Sequence, residues 1–110
     1  MDKERALIAF DALSQSTRLD ALRLLVQAGA DGLPAGEIGE RLDVRQNTMS
    51  VHLKALAQAG LIKGQRDGRV IRYAADYSAI QALVLYLMQD CCGGRPDLCQ
   101  PVFERLSCAC

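Results

Sequence analysis

Arg45-Gln46-Asn47-Thr48-Met49-Ser50-Val51-His52-Leu53-Lys54-Ala55-Leu56-Ala57-Gln58-Ala59-Gly60 is the stretch whose spacing decides the architecture. Met49, Leu53, Leu56 and Ala57 recur at helical intervals and fall on one face, which predicts an amphipathic helix over residues 45–59. Gly60 stands where a helix ends in left-handed backbone, so it predicts the stop. The opposite face carries Gln46, Asn47, Ser50, Lys54 and Gln58, with Val51 beside them. One face must therefore pack on a core while the other is left for water or a polar partner.

Upstream, the break at Asp43-Val44 separates this helix from a shorter one over residues 35–42, where Ile38 and Leu42 lie one turn apart and Pro34 stands near the start. Two helices joined by a tight turn, the second polar on its outer face, form a helix-turn-helix arrangement. Before them, Leu19, Leu22, Leu25 and Val26 predict a core-forming helix from an N-cap at Ser16 to Gly29, and Leu7, Phe10 and Leu13 predict a first helix over residues 4–13 with those three on one side.

Downstream the period changes to that of strands. Leu61-Ile62-Lys63-Gly64-Gln65-Arg66 and Arg69-Val70-Ile71-Arg72-Tyr73-Ala74 flank Asp67-Gly68, a strong two-residue hairpin signal. A basic hairpin directly after a helix-turn-helix reads as a wing, with Arg66 and Arg69 on either side of its tip. Residues 77–90 then predict a long helix with two apolar stripes, Ile80, Leu83, Val84, Leu87 and Met88 on one and Ala82, Leu85 and Tyr86 on the other. One stripe suffices to cover the core of so short a chain, so the second predicts a homodimer. The fold expected is mainly α with a small β-hairpin, a winged helix-turn-helix dimerising through its terminal helices. Residues 1–90 are the expected DNA-binding and dimerisation domain, and residues 91–110 a cysteine-rich sensing tail.

A chain of 110 residues, 50% apolar and 24% charged, supports one core. The charged start Met1-Asp2-Lys3-Glu4-Arg5 and the lack of any apolar run of membrane-spanning length predict a cytoplasmic protein with no membrane partner. The formal net charge is zero, yet Arg45, Lys54, Lys63, Arg66, Arg69 and Arg72 stand against Asp67 alone between Arg45 and Tyr73, a local excess of +5. Such a concentration points to nucleic acid, and a winged helix that binds only proteins would leave it without a use.

All five cysteines, Cys91, Cys92, Cys99, Cys108 and Cys110, fall in the last twenty residues. A disulfide framework would be spread through the core, whereas an odd cluster in a cytoplasmic chain points to metal or redox chemistry. An enzyme reading such as a thiol reductase has little support: no cysteine lies in a phosphate-like loop or beside an oriented base, and the single histidine, His52, is in the predicted recognition helix.

The order of elements, together with Leu13-Ser14-Gln15-Ser16-Thr17-Arg18-Leu19, Asn47-Thr48-Met49-Ser50-Val51-His52-Leu53-Lys54-Ala55-Leu56, Ala59-Gly60-Leu61-Ile62 and Asp67-Gly68-Arg69 through Tyr73, resembles the ArsR/SmtB family of metalloregulatory repressors over nearly the whole chain. The resemblance implies a symmetric dimer that represses its own operon when unliganded and leaves the operator when a metal or metalloid binds. One site type of that family uses cysteines in the third helix, and residues 35–42 contain none. Another uses His with Asp or Glu across the last helix, and His52 is not there. The pair Cys91-Cys92 with Cys99 resembles the arsenite-responsive members, whose site follows the last helix.

Trivalent arsenic is soft and thiophilic, so three thiolates satisfy it without nitrogen or oxygen ligands. Arsenite As(III) is thus the expected inducer, with antimonite beside it, and Cys91, Cys92 and Cys99 are the expected ligands. Zinc, cadmium or lead would call on Cys108 or Cys110 for a fourth thiolate. Redox switching is the other alternative: adjacent Cys91 and Cys92 would strain a mutual disulfide, but either could pair with Cys99.

On the DNA side, Gln46, Asn47, Ser50 and His52 are expected toward the groove, and Arg45, Lys54, Arg66 and Arg69 toward phosphate or the minor groove. For His52 a hydrogen bond to phosphate or backbone ranks ahead of base reading. Arg41, Arg72 and Tyr73 read at least as well as solvated or packed side chains. Ser16-Thr17-Arg18 reads equally as a helix cap and as a phosphate contact.

Overall fold

The computed structural model describes residues 1–89 and 96–106. The elements run α1 (Lys3–Leu13), α2 (Ser16–Ala28), β1 (Leu33–Pro34), α3 (Ala35–Leu42), α4 (Gln46–Gln58), β2 (Ile62–Asp67), β3 (Val70–Ala75), α5 (Tyr77–Met88) and α6 (Pro96–Leu106). This is the expected winged helix-turn-helix, with one strand more than the hairpin: β1 pairs with β3, giving a three-stranded antiparallel sheet in the order β1-β3-β2.

Leu25, Ile38, Met49, Leu53, Leu56 and Leu61 are fully buried and bring α2, α3, α4 and the start of the wing onto one core. Each such side chain contributes about 1.5–3 kcal/mol relative to exposure. The turn between α3 and α4 is tight because Asp43 takes the left-handed conformation at φ 55° and the Val44 N–H donates to the Gly39 carbonyl at 2.9 Å. Asp is one of the few residues with a Cβ that tolerates this backbone. After α4 the Leu61 N–H donates to the Leu56 carbonyl at 3.1 Å and the Gly60 N–H to the Ala57 carbonyl at 3.0 Å, with Gly60 at φ 80°. This closes the helix in a Schellman motif and turns the chain straight into β2.

Several sequence expectations change in detail. The N-cap of α2 is Gln15 and not Ser16: the Gln15 side chain accepts from the Arg18 N–H at 2.9 Å, and Ser16 already sits inside the helix. In α1 the buried side is Ala6, Ala9 and Ala12, while Leu7 and Phe10 are exposed and Leu13 is half-buried. Small side chains let α1 lie close against the rest of the fold, and the large ones are turned outward.

The wing turn is shifted by one residue. Asp67 pairs with Val70, so the two-residue loop is Gly68-Arg69, with Gly68 at φ 66° in its first position. This register places Ile62 opposite Ala75 and Gly64 opposite Tyr73, setting Ile62, Tyr73 and Ala75 on the core side. A slip of one residue would turn that face to water. Gly64 is required by its partner, since a Cβ there would meet the Tyr73 ring at 2.8 Å.

In α5 only Leu83 is buried, with Ile80 and Tyr86 packed partly against the core, while Leu85 and Leu87 are exposed. Leu87, on the same stripe as Leu83, is thus left uncovered by the core of the single chain. The chain becomes extended at Gln89 (φ −60°, ψ 131°), so α5 ends at Met88. Beyond it, α6 occupies part of the stretch read as a tail, starting at Pro96 and carrying Pro101 inside. Proline suits a first helical position, where no N–H is needed.

Candidate nucleic-acid interface

Helix α4 begins without a side-chain cap. Arg45 stands at the N-cap with extended backbone, and a guanidinium cannot accept a hydrogen bond from the first-turn N–H groups. The positive end of the helix is thus left open beside a cationic side chain, an arrangement that suits an anion. Asn47 partly compensates, its Oδ1 accepting from the Thr48 N–H at 2.9 Å.

The outer face of α4 is set by the depth of Met49, Leu53 and Leu56, all fully buried. Opposite them Asn47, Val51, Lys54 and Gln58 are exposed, and Ser50 is half-buried at the edge toward the wing. A concavity of about 310 Å³ runs between this edge and the wing, lined among others by Gly36, Gln46, Ser50, Arg69 and Val70. The start of α3, the start of α4 and the wing tip thus share one depression. Gln46 is exposed, but its Oε1 also lies over Gly39 of α3, where an added Cβ would stand 3.0 Å away.

The basic residues divide by what holds them. Arg72 donates to the Asp31 carbonyl at 3.2 Å and the Gly32 carbonyl at 3.3 Å, tying β3 to the loop before β1. Lys63 is paired with Asp76 at 3.7 Å. Arg41 is paired with Glu37 at 3.2 Å along α3, and Tyr73 is buried. Arg45, Lys54, Arg66 and Arg69 are exposed and form no salt bridge among the described residues. These four cations flank the polar face of α4 and the wing.

His52 is half-buried and turned from the Asn47–Lys54 face toward α2, where its Nδ1 accepts from the Arg18 Nε–H at 3.2 Å. Arg18, read in sequence as part of a cap or phosphate cluster, therefore has a third role as a brace on α4. No local pattern signals it, because the contact spans 34 residues. Val70 at the start of β3 was also not singled out, and the wing register is what brings it to the concavity.

Of the proposed thiolate ligands, Cys99 lies in α6, and Cys91, Cys92, Cys108 and Cys110 lie outside the described residues. Among the described residues no group of three or more His, Cys, Asp or Glu could hold a metal ion. No helix among them is long and apolar enough to cross a membrane.

A helix-turn-helix domain model matches residues 13–65. The transcriptional repressor SdpR of Bacillus subtilis (strain 168) is 33% identical over 89 residues, covering 81% of this chain and 96% of its own. YceK of the same organism, an uncharacterized helix-turn-helix transcriptional regulator, is 41% identical over 68 residues, covering 62% of this chain and 66% of its own. An ArsR-like transcriptional regulator from Rhodococcus sp. RHA1 superposes with a TM-score of 0.68 at 26% identity, covering 94% of this chain and 93% of that one. The chain belongs to the ArsR-like helix-turn-helix transcriptional regulators.

A homodimeric winged helix-turn-helix DNA-binding domain from Mycobacterium bovis shares the fold, with a TM-score of 0.65 at 23% identity over 77% of each chain. For an ArsR-like regulator the polar face of α4 and the wing acquire a use. The outer face of α4 is exposed and polar, and Arg45, Lys54, Arg66 and Arg69 are exposed on α4 and the wing.

Proposed function

We propose that this ArsR-like regulator is a homodimeric repressor that binds operator DNA through α4 and the β2–β3 wing and is released by arsenite. The observation that carries the DNA reading is the depression shared by α4 and the wing, with Arg69 in its lining and Arg45, Lys54 and Arg66 likewise exposed and without a salt bridge among the described residues. Arg72, held by backbone carbonyls, contributes to the charge excess without being free to move to phosphate, while Lys63 makes only an exposed pair with Asp76.

Dimerisation is supported by the apolar side chains the single chain leaves uncovered. Leu7, Ile8 and Phe10 on α1 and Leu85 and Leu87 on α5 are all exposed, and the two helices pack against each other. A soluble monomer gains nothing from such a surface, and a second copy can bury it symmetrically.

The inducer is argued from the donor set. Five thiols within twenty residues, with the chain's one histidine engaged by Arg18, suit a soft thiophilic ion. Cys91, Cys92 and Cys99 would supply three thiolates, with Cys108 and Cys110 available for an ion that needs four. Because α5 belongs to the proposed seam, gathering thiolates just beyond its end would change how the two subunits hold their recognition helices. By linkage, operator and inducer must weaken each other by the same factor, typically ~1 to 3 kcal/mol.

The test is a Cys91→Ser, Cys92→Ser, Cys99→Ser variant on duplex DNA. It is expected to bind as the wild type does and to stay bound in arsenite. Release persisting in the variant rules out this ligand set.

A further inference from the structure

Val51 is the most exposed large apolar side chain among the described residues, at 65%. The next in order, Leu85, Leu87 and Leu7, lie on α5 and α1, on the surface assigned above to the second subunit. Val51 has no such company. It stands in the middle of the outer face of α4, one turn from Asn47 on one side and from Lys54 on the other, all three exposed.

A valine at this position costs helix stability relative to alanine, and it covers no core. What it offers is geometry. In a helix the branched side chain is held to essentially one χ1 well, so its two methyl groups point in a fixed direction and lose little freedom when covered. In the major groove only thymine presents a methyl group, at C5, and apolar side chains read it. The Asn47 amide and the Lys54 ammonium beside Val51 cannot make that contact. Cytosine in the same place carries hydrogen at C5, so the apolar contact is lost and the pairing also carries discrimination.

We infer that Val51 is a specificity-determining residue that covers the 5-methyl group of one thymine in each half-site, an inference that rests on the DNA-binding reading above. The test begins by enriching duplexes from a random-sequence pool with the reduced full-length protein. Each thymidine of an enriched duplex is then replaced in turn by deoxyuridine, which removes the methyl group and nothing else. Binding is expected to weaken about fourfold at one position per half-site, the loss that accompanies one uncovered methyl group. Val51→Ala, which alters both subunits, is expected to bind the thymine duplex about as weakly as the wild type binds a duplex with uracil at that position in both half-sites, and to be indifferent to uracil there.

Uracil tolerated at every position, or a uracil penalty unchanged in Val51→Ala, overturns the inference and leaves DNA binding intact. Failure to enrich any duplex overturns both. The uridine series on the wild type needs no variant, and circular dichroism checks that Val51→Ala keeps its helix content.

Discussion

The Arg18 Nε–H donates to the His52 Nδ1 at 3.2 Å, joining the first turn of α2 to the middle of the recognition helix across 34 residues of sequence. Because Nδ1 accepts, the neutral imidazole carries its proton on Nε2, which remains available as a donor. Arg18 is itself placed by the Gln15 cap, whose side chain accepts from the Arg18 backbone N–H. The rotation of α4 against α2 is thus set by a polar brace as well as by the apolar core.

The brace predicts coupling. Arg18→Ala and His52→Ala are each expected to destabilise the fold, and the double variant to be less destabilised than their sum by about 1 kcal/mol, the net worth of a half-buried hydrogen bond. Urea unfolding of the four proteins measures this. Strict additivity means that the two side chains do not hold each other.

The free and the tethered cations should separate in salt titrations. Replacing Arg45, Lys54, Arg66 or Arg69 by glutamine is expected to reduce the slope of log K against log salt by about 1 for each phosphate that is no longer neutralised. Arg72→Gln is expected to leave the slope unchanged and to lower stability, since its hydrogen bonds go to the Asp31 and Gly32 carbonyls. An Arg72 variant with a reduced slope and unchanged stability contradicts the division.

Much of the central part of the fold is readable from residue types. The spacing of Met49, Leu53 and Leu56, the Asp43-Val44 break and Gly60 lead directly to α3, the turn, α4 and its polar face. The rest depends on long-range packing that no local pattern carries. In α1 the pattern favours the large residues as core, but helices that approach closely need small ones, and Ala6, Ala9 and Ala12 provide them. Strand β1 is two residues long and has no period to detect. The wing turn falls on Gly68-Arg69 and not on Asp67-Gly68 because the sheet must bury Tyr73 beside Gly64. Residues 91–110 read as a tail, yet α6 runs from Pro96 to Leu106.

Two glycines with positive φ are predicted to respond differently to alanine. Gly60 (φ 80°) has open space around an added Cβ, so Gly60→Ala is expected to cost about 1 kcal/mol from backbone strain alone. Gly32 (φ 64°) lies against β3, where the new Cβ would collide with the Tyr73 carbonyl. Gly32→Ala is expected to cost more than ~2 kcal/mol, as strain and overpacking add. Thermal unfolding distinguishes the two.

The dimer seam is testable through charge. Leu7→Glu combined with Leu85→Glu is expected to give a folded monomer by sedimentation at concentrations where the wild type is dimeric. Duplex affinity is expected to fall about 100-fold, because two half-sites are no longer engaged together. A variant that stays dimeric places the seam elsewhere.

Release of the operator by a thiophilic ion is checked without intermediaries by fluorescence anisotropy of the reduced protein on duplex DNA from upstream of its own gene, titrated without oxygen with arsenite and, in parallel, with zinc. We predict a salt-sensitive complex that arsenite dissolves at near-stoichiometric amounts while zinc leaves it intact. Release by zinc or cadmium alone, or release only by an oxidant and reversed by a thiol reductant, would contradict an arsenite-responsive repressor.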